Sequence, residues 1–350
     1  MAEVIGLYQK LHTKNIWPSS KKFLIAAKEC VTISNQFTQP KNIYMKSMTT
    51  LPLSHTTTTV SESHALPLVG TPQQIPFRRE HTAFPQYRAV LNNRLLLDQY
   101  TGHLYRNGAG ADVTFPLLMV RHGETNGNIN GAFQGQIDIP DSQLNANGKA
   151  QAKNAAQRLY RELLDLFDDT LPSFAASGNL IIMQSPLGRT RETAKAFLDE
   201  FEAQTGVALN VITEKKLAES CFGVIEGLNL DQIPDEELRK LAAYFRSEQD
   251  ATVDWKGTGE SYLDVIIRAD TLLDELNLRY AQQPVLVIAF SHGAFINALR
   301  VVIADDALIE EDGMIAFRKN GLKNTESYWV GDSRRHIHQI AARWRITHQQ

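Results

Sequence analysis

The chain is poor in several features that mark particular protein classes. Its two cysteines, Cys30 and Cys221, lie far apart, so they predict neither a disulfide framework nor a CxxC pair. No apolar run reaches the ~18–20 residues that a membrane-spanning helix needs. A P-loop, a GxGxxG motif, a nucleic-acid-binding motif and a set of metal-ligand spacings are all lacking. The sequence therefore predicts no metal, no cofactor, no nucleic-acid partner and no membrane span, and its scarce cysteine favours a reduced, cytoplasmic setting.

Charge is unevenly distributed along the chain. Of its 36 Lys and Arg and 39 Asp and Glu, residues 1–112 hold 12 and 6, which leaves 24 and 33 for the remainder. This predicts a basic N-terminal extension, 1–112, and a catalytic domain, 113–350. Residues 47–76 are rich in Thr, Ser and Pro, which is typical of a flexible linker. We interpret the extension as a solvated arm. A site for an anionic partner and a targeting segment are the alternatives, although transit peptides are Arg-rich and no arginine precedes Arg78.

From residue 113 onward, short apolar runs alternate with helical periods. The runs at 115–120, 180–183, 209–212 and 285–290 contain no charge, as expected of strands buried on both faces of a sheet. Apolar stripes of helical period follow Asn145, span 187–201 before Gly206, and recur at 263–276. The pattern predicts a three-layer α/β/α sandwich with a mainly parallel sheet. A hairpin at 90–97 and 103–105 is also predicted, and His336 and His338 alternate as in a terminal strand.

Basic and imidazole side chains follow three of the predicted strands. The first strand runs into Arg121-His122, the second into Ser185-Pro186 and Arg189, and the fourth into His292-Gly293. Ligands of open α/β sheets bind beyond the carboxyl ends of the strands, so these residues are expected to converge there. Guanidinium groups match phosphate oxygens and an imidazole can attack phosphorus. Ser185 as N-cap and Pro186 in the first turn predict a helix that starts just before Arg189.

Six sequence blocks resemble those of the histidine phosphatase superfamily, in its phosphoglycerate-mutase-like branch. They occur in the family's order and cover roughly 113–330 of the chain. In this sequence they read RHGETNGN from Arg121, GQIDIP from Gly135, SPLGRTRETA from Ser185, LAESCFGVIEG from Leu217, GES from Gly259 and SHG from Ser291. Any one block is weak, whereas six in order are specific.

The resemblance implies a role for each matching residue. His122 would be the covalent nucleophile, and Glu219 would act as general acid and base. Arg121, Arg189 and His292 would hold the phosphoryl oxygens. The phosphate-binding set would also include Asn128, Gln134, Gly135 and Gly293. Glu124 is expected to be a structural part of the turn, and Glu226 and Glu260 to line the pocket or brace its loops.

The family divides by what accepts the phosphoryl group. Its mutases resemble one another in an insertion, between the acid and the second histidine, that carries paired arginines. Here the interval from Glu219 to His292 contains arginine only singly, at Arg239, Arg246, Arg268 and Arg279. This favours a phosphomonoesterase that acts on a small phosphorylated substrate. A mutase is the alternative, and a non-catalytic binding module is a third hypothesis. The sequence indicates neither the substrate nor the oligomeric state.

Overall fold

The computed structural model describes residues 87–348, so the predicted linker and most of the basic extension lie outside the described residues. The strands of this range are β1 (Tyr87–Val90), β2 (Leu95–Asp98), β3 (Leu104–Arg106), β4 (Leu117–Arg121), β5 (Leu180–Gln184), β6 (Val211–Thr213), β7 (Leu286–Ser291) and β8 (Ser327–Trp329). The α-helices are α1 (Asn126–Ile129), α2 (Ala146–Phe167), α3 (Leu171–Ala176), α4 (Gly188–Thr205), α5 (Glu236–Ser247), α6 (Tyr262–Tyr280), α7 (Gly293–Val302) and α8 (Ser333–His348).

The central sheet has the strand order β6-β5-β7-β4-β8. Its first four strands are parallel, and β8 joins β4 antiparallel at the edge. Every residue of β7 is buried, and β4 is buried up to Arg121, which explains the uncharged runs of these strands. The burial predicted for the run at 209–212 was wrong, because β6 is an edge strand and its three residues are exposed. The predicted α/β sandwich with a mainly parallel sheet is therefore confirmed.

The two faces of the sheet carry separate cores. Successive side chains of β4 alternate between them: Leu117 and Met119 join one core, and Leu118 and Val120 the other. Helices α6 and α7 cover the first core, and α2, α4 and α8 cover the second. Burying one such leucine or methionine side chain contributes ~1.5–3 kcal/mol.

Among the described helices, none combines the length and the apolar character that crossing a membrane requires.

A small antiparallel sheet precedes the central one. A hairpin is present as β2 and β3, but the first strand predicted at 90–97 is divided by a turn at 91–94, so that Val90 belongs to β1, which pairs with the other edge of β2. Leu95, Leu97 and Leu104 are buried in the core that α6 and α7 cover. The described end of the extension thus packs against the same core as the predicted catalytic domain, while the division at residue 112 stays a prediction.

The segment that holds His336 and His338 is a helix, so the prediction of a terminal strand was wrong. Ile337 and Ala341 lie four residues apart and are buried against the core of the second face. This helical stripe outweighs the alternation of the two histidines, which on a helix face different directions. They therefore do not share one face.

A third core lies beneath α5. It contains Phe133, Phe245 and the fully buried Trp255, whose rings pack edge to face. Most of this core comes from the chain between Glu219 and His292. This interval thus forms a folded cover of its own beside the central sheet.

Candidate active site

The carboxyl ends of β4 and β7 bring two predicted pairs of residues together. Arg121 ends β4 beside Ser291, the last residue of β7, and His122 and His292 follow. The two imidazole centroids are 5.2 Å apart. A Cβ atom at Gly293 would lie 3.3 Å from Arg121 Nε, so glycine allows the guanidinium to approach the start of α7.

His122 is held in one tautomer. Its Nδ1 lies 2.7 Å from the carbonyl oxygen of Gly123. Because a carbonyl only accepts, Nδ1 carries the proton and Nε2 keeps its lone pair. Burial, helped by the charges of Arg189 and Arg121, holds the pKa of His122 well below its usual 6.5. The ring is therefore neutral and presents a free Nε2, the form that can attack phosphorus.

His292 is also buried and neutral. Its Nδ1 accepts a hydrogen bond from Arg189 Nε at 3.2 Å, so its proton lies on Nε2, which is 2.8 Å from Ser185 Oγ. Burial, followed by the Arg189 charge, lowers the pKa of His292 well below 6.5. His292 thus connects the end of β7 to the segment that follows β5.

The sequence predicted Ser185 as the N-cap of the helix that starts just before Arg189, and this prediction was wrong. Helix α4 begins at Gly188, with Leu187 at the N-cap, and Pro186 lies outside it. The Ser185 hydroxyl is engaged by His292, and Asp138 Oδ1 accepts instead from the Gly188 N–H at 3.0 Å. The cap therefore comes from a distant carboxylate, while Ser185 orients a histidine.

Both predicted arginines have a buried N–H group without an acceptor in the described part of the chain. Arg189 donates to His292 and, through Nη2, to the Gly135 carbonyl at 2.7 Å, but its Nη1 has no partner. Arg121 donates to the Leu322 carbonyl, and its Nε has no partner. Burial lowers the pKa of Arg189 to about 10, which still leaves it charged at neutral pH. Buried donors of this kind are normally paired, so they fit an anionic ligand.

Gly135 lies where only glycine fits. Its φ is +52°, in the left-handed region, and a Cβ atom there would lie 2.0 Å from Glu226 Oε1. The same Glu226 oxygen accepts the backbone N–H groups of Gln136 and Phe222, each at 2.9 Å. Burial raises the pKa of Glu226 to about 7. Glu226 therefore braces the loop whose Gly135 carbonyl binds Arg189. Bracing a loop was one of the two roles expected for it.

Gln134 and Asn128 shape the turn after β4. Gln134 Oε1 accepts from the Thr125 hydroxyl at 2.7 Å, and Asn128 forms a reciprocal capping box with Thr125. Asn128 Oδ1 also accepts from Asn324, which leaves the amide nitrogen of Asn128 as its group for a ligand. Glu124 accepts from Asn145 and Asn147, in keeping with its predicted structural role.

Glu219 is half-buried at the start of α7. Its Oε1 accepts from the Ser220 N–H at 3.0 Å, and its Oε2 lies 3.5 Å from the Ala294 nitrogen. Glu219 also lies close enough to Arg121 and Arg189 to interact electrostatically with both guanidinium groups. The structure thus brings the predicted acid to the same edge of the sheet as the predicted nucleophile.

Sequence reasoning did not find Asn324. Its amide nitrogen donates to the His122 carbonyl at 3.0 Å and to Asn128 at 3.2 Å. It lies in an irregular segment before β8, where no apolar period marks a position.

The described residues include no grouping of three or more His, Cys, Asp or Glu that is arranged to hold a metal ion.

Comparison with known proteins bears on this arrangement. The profile of the histidine phosphatase superfamily, branch 1, matches residues 117–308, which include the ends of β4, β5 and β7. The chain belongs to this superfamily. The family predicted from the six sequence blocks is therefore confirmed.

The relatives of this histidine phosphatase include proteins named as phosphatases and as mutases. Phosphoserine phosphatase 1 of Hydrogenobacter thermophilus is 34% identical over 49% of this chain and 69% of its own length. A metal-independent phosphoserine phosphatase of Arabidopsis thaliana is 29% identical over 55% and 70%. A probable phosphoglycerate mutase of Enterobacter sp. is 31% identical over 52% and 72%.

Proposed function

We propose that the protein is a phosphomonoesterase that works through a phosphohistidine on His122. The observation that carries this proposal is the pair of buried N–H groups, Arg121 Nε and Arg189 Nη1, that find no acceptor within residues 87–348 and lie beside a neutral imidazole. A phosphoryl group would satisfy both donors and place its phosphorus before the imidazole. The family membership supports the same reaction class.

The first step transfers the phosphoryl group to the enzyme. Nε2 of His122 attacks phosphorus while the bond from phosphorus to the ester oxygen breaks, and protonated Glu219 gives its proton to the departing alcohol. Arg121 and Arg189 stabilise the charge that spreads over the other oxygens, and His292, whose two ring nitrogens bond to Arg189 and Ser185, orients Arg189 rather than holding an oxygen itself. The products are the free alcohol, phosphohistidine and a Glu219 carboxylate.

The second step releases phosphate. The Glu219 carboxylate takes a proton from water, whose oxygen attacks phosphorus as the phosphorus–nitrogen bond breaks. Inorganic phosphate leaves, and His122 regains its lone pair. Glu219 ends protonated, as it began, so the enzyme is ready for another cycle.

The substrate proposed is a small phosphorylated metabolite. Two relatives are named as phosphoserine phosphatases, which supports a low-molecular-weight monoester and makes phosphoserine the first compound to test. A cytoplasmic location is proposed with it on the scarcity of cysteine, and fractionation of cells that express the full chain tests it.

Mutase activity is the second candidate because one relative is named a probable phosphoglycerate mutase. The arginines between Glu219 and His292 weigh against it. Arg246 bonds to the Gly131 carbonyl and stacks on Phe133, and Arg268 is consumed by a buried ion pair. Arg246 and Arg268 therefore do not form a paired-arginine patch of the kind expected in the mutases.

The direct test is release of inorganic phosphate by the purified full chain in the presence of EDTA. The panel includes phosphoserine, 3-phosphoglycerate and p-nitrophenyl phosphate, and isomerisation of 3-phosphoglycerate is followed in parallel. The variants are His122→Ala and, as a matched control, His336→Ala. His336 lies on α8 beside Pro116 and Pro284, which precede β4 and β7 at the end of the strands opposite the site.

Release that survives EDTA, vanishes in His122→Ala and persists in His336→Ala is the expected result. Isomerisation without release would replace the proposal with the mutase. If neither reaction occurs, or if His122→Ala retains full activity, the proposed mechanism is wrong.

A further inference from the structure

A buried ion pair lies directly behind Glu219. Arg268, on α6, and Glu260, just before that helix, are 2% and 5% exposed. Arg268 Nε donates to Glu260 Oε1 and Arg268 Nη2 to Glu260 Oε2, both at 2.9 Å. This bidentate arrangement is the most favourable geometry for a guanidinium and a carboxylate. Neither residue belongs to the phosphate site described above.

All five N–H donors of Arg268 are used. Two reach Glu260, and the other three reach main-chain carbonyls of the loop that carries the acid. Nη1 donates to the Lys216 and Ala218 oxygens at 2.7 and 2.8 Å, and Nη2 donates to the Glu219 oxygen at 3.2 Å. A guanidinium has five donors in a fixed plane, so these carbonyls can satisfy it only in one loop conformation.

Glu260 holds the other end of the same loop. Its Oε2 accepts from the Cys221 N–H at 2.9 Å, and its own N–H donates to the Cys221 carbonyl at 2.8 Å. Gln136, which follows Gly135 in the phosphate-binding loop, donates to both the Glu219 carbonyl and Glu260 Oε2. Glu219 is therefore fixed from both sides, and its loop is tied to the loop that receives Arg189.

We propose that the Arg268–Glu260 pair is a positioning device that holds Glu219 where it can exchange a proton with the leaving oxygen and with water. This inference rests on the proposed function. General acid catalysis requires the donor within hydrogen-bond reach of the accepting oxygen, and a displacement of about 1 Å can cost ~100-fold in rate. Glu219 is partly buried and its carboxylate accepts from the main-chain N–H groups of Ser220 and Ala294, so the backbone around it determines where its carboxyl lies.

The choice of leaving group separates positioning from general damage. An alkyl phosphate releases a strongly basic oxygen that needs the Glu219 proton, whereas p-nitrophenyl phosphate releases a stable phenolate that does not. The quantity measured is kcat/KM, which reports transfer to His122 and not the later hydrolysis. A change that only loosens the phosphate pocket would lower kcat/KM for both esters alike.

Two variants test the pair. Arg268→Lys keeps the positive charge but loses the bidentate hydrogen bonds of the guanidinium, and Glu260→Gln keeps the shape of the side chain but loses its negative charge. We expect each to lower kcat/KM for an alkyl phosphate ~10- to 100-fold and to change that for p-nitrophenyl phosphate by less than ~3-fold. Glu219→Gln should show the same selectivity. Added to Glu219→Gln, Arg268→Lys should lower the alkyl rate by less than ~3-fold more, because both changes act through one group.

Arg300→Lys is the matched control. Arg300 is equally buried and paired with Asp305 at 2.7 Å, but its other bonds go to Asn297 and the Asn320 carbonyl and not to the loop of Glu219. It should leave the ratio of the two rates unchanged. An equal loss for both esters in Arg268→Lys and Glu260→Gln, with wild-type activity and its dependence on His122 intact, would overturn the positioning role alone. Absence of wild-type activity would instead refute the proposed function.

Discussion

Glu226 is a buried residue of the site whose ionisation couples folding to pH. Burial raises the pKa of its carboxyl to about 7 from the 4.5 of an exposed glutamate. Between these values the folded protein keeps a proton that the unfolded chain releases. The resulting stabilisation is complete below pH 4.5 and is lost as the pH rises through about 7.

We therefore expect Glu226→Gln to gain stability relative to wild type as the pH rises. An amide cannot ionise, and its oxygen can still accept from Gln136 and Phe222. Between pH 5 and pH 8 the difference in unfolding free energy between variant and wild type should shift by roughly 2–3 kcal/mol. Urea unfolding at the two pH values measures it, with exposed Glu202→Gln as the control. A difference that does not change with pH would show that the carboxyl stays ionised.

Gly135 is the second residue at which the site tolerates little change. Gly135→Ala would place a Cβ atom 2.0 Å from Glu226 Oε1 and displace the carbonyl that binds Arg189. Because Arg189 holds the phosphoryl group in the proposed mechanism, we expect kcat/KM to fall at least ~10-fold. Steady-state kinetics on p-nitrophenyl phosphate measures this loss.

Gly131→Ala is the control for backbone strain in that prediction. Gly131 also has a left-handed φ, of +65°, but apart from its chain neighbours no atom lies within 4 Å of the place that a Cβ atom would take. The substitution should cost ~1–2 kcal/mol of stability and leave kcat/KM within a few-fold of wild type. Equal kinetic effects of the two substitutions would mean that the contact with Glu226 does not matter.

At the scale of elements, α8 closes the second face of the sheet. It packs against α2, and Ile337 on its inner side is fully buried. Ile337→Ala should lower the free energy of unfolding by ~2–5 kcal/mol through lost contacts and a cavity. The helix packs away from the site, so kcat/KM of the folded fraction should stay at the wild-type value.

Ile346→Ala provides the matched change on the same helix. Ile346 is 79% exposed, so its truncation should alter stability by less than ~0.5 kcal/mol. Chemical unfolding of both variants, followed by circular dichroism, makes the comparison. If Ile337→Ala were as mild as Ile346→Ala, α8 would not be packed as described.

At the scale of the whole molecule, the strands β2 and β3 share a core with the helices behind the site. Leu104 is fully buried there with Leu95 and Leu97. Leu104→Ala should therefore lower the midpoint for thermal loss of phosphatase activity together with that for loss of helical signal, because ~2–5 kcal/mol leaves one cooperative unit. The control is Leu278→Ala, since Leu278 is 87% exposed. Two separate transitions would instead indicate an independently folding extension.

The sequence predicted the sheet and the convergence of its strand ends because uncharged strand-length runs leave few alternatives to burial on both faces. It also predicted His122 and His292, which lie within two residues of such a run, and Arg189, which lies in the segment that follows the second run. The partner of Ser185 could not be predicted, because it depends on which strand lies next to β5. The buried ion pair of Arg268 could not be predicted either. A single arginine in a helical period looks the same in sequence whether it faces solvent or a buried carboxylate.

The most direct test of the central claim is to trap the covalent intermediate. The full chain is mixed with phosphoserine or p-nitrophenyl phosphate, quenched with alkali and digested, and phosphopeptides are mapped by mass spectrometry. The account predicts an alkali-stable, acid-labile phosphate on the peptide that contains His122, present with EDTA and absent from His122→Ala. A phosphate on another residue, or turnover by His122→Ala at the wild-type rate, would contradict it.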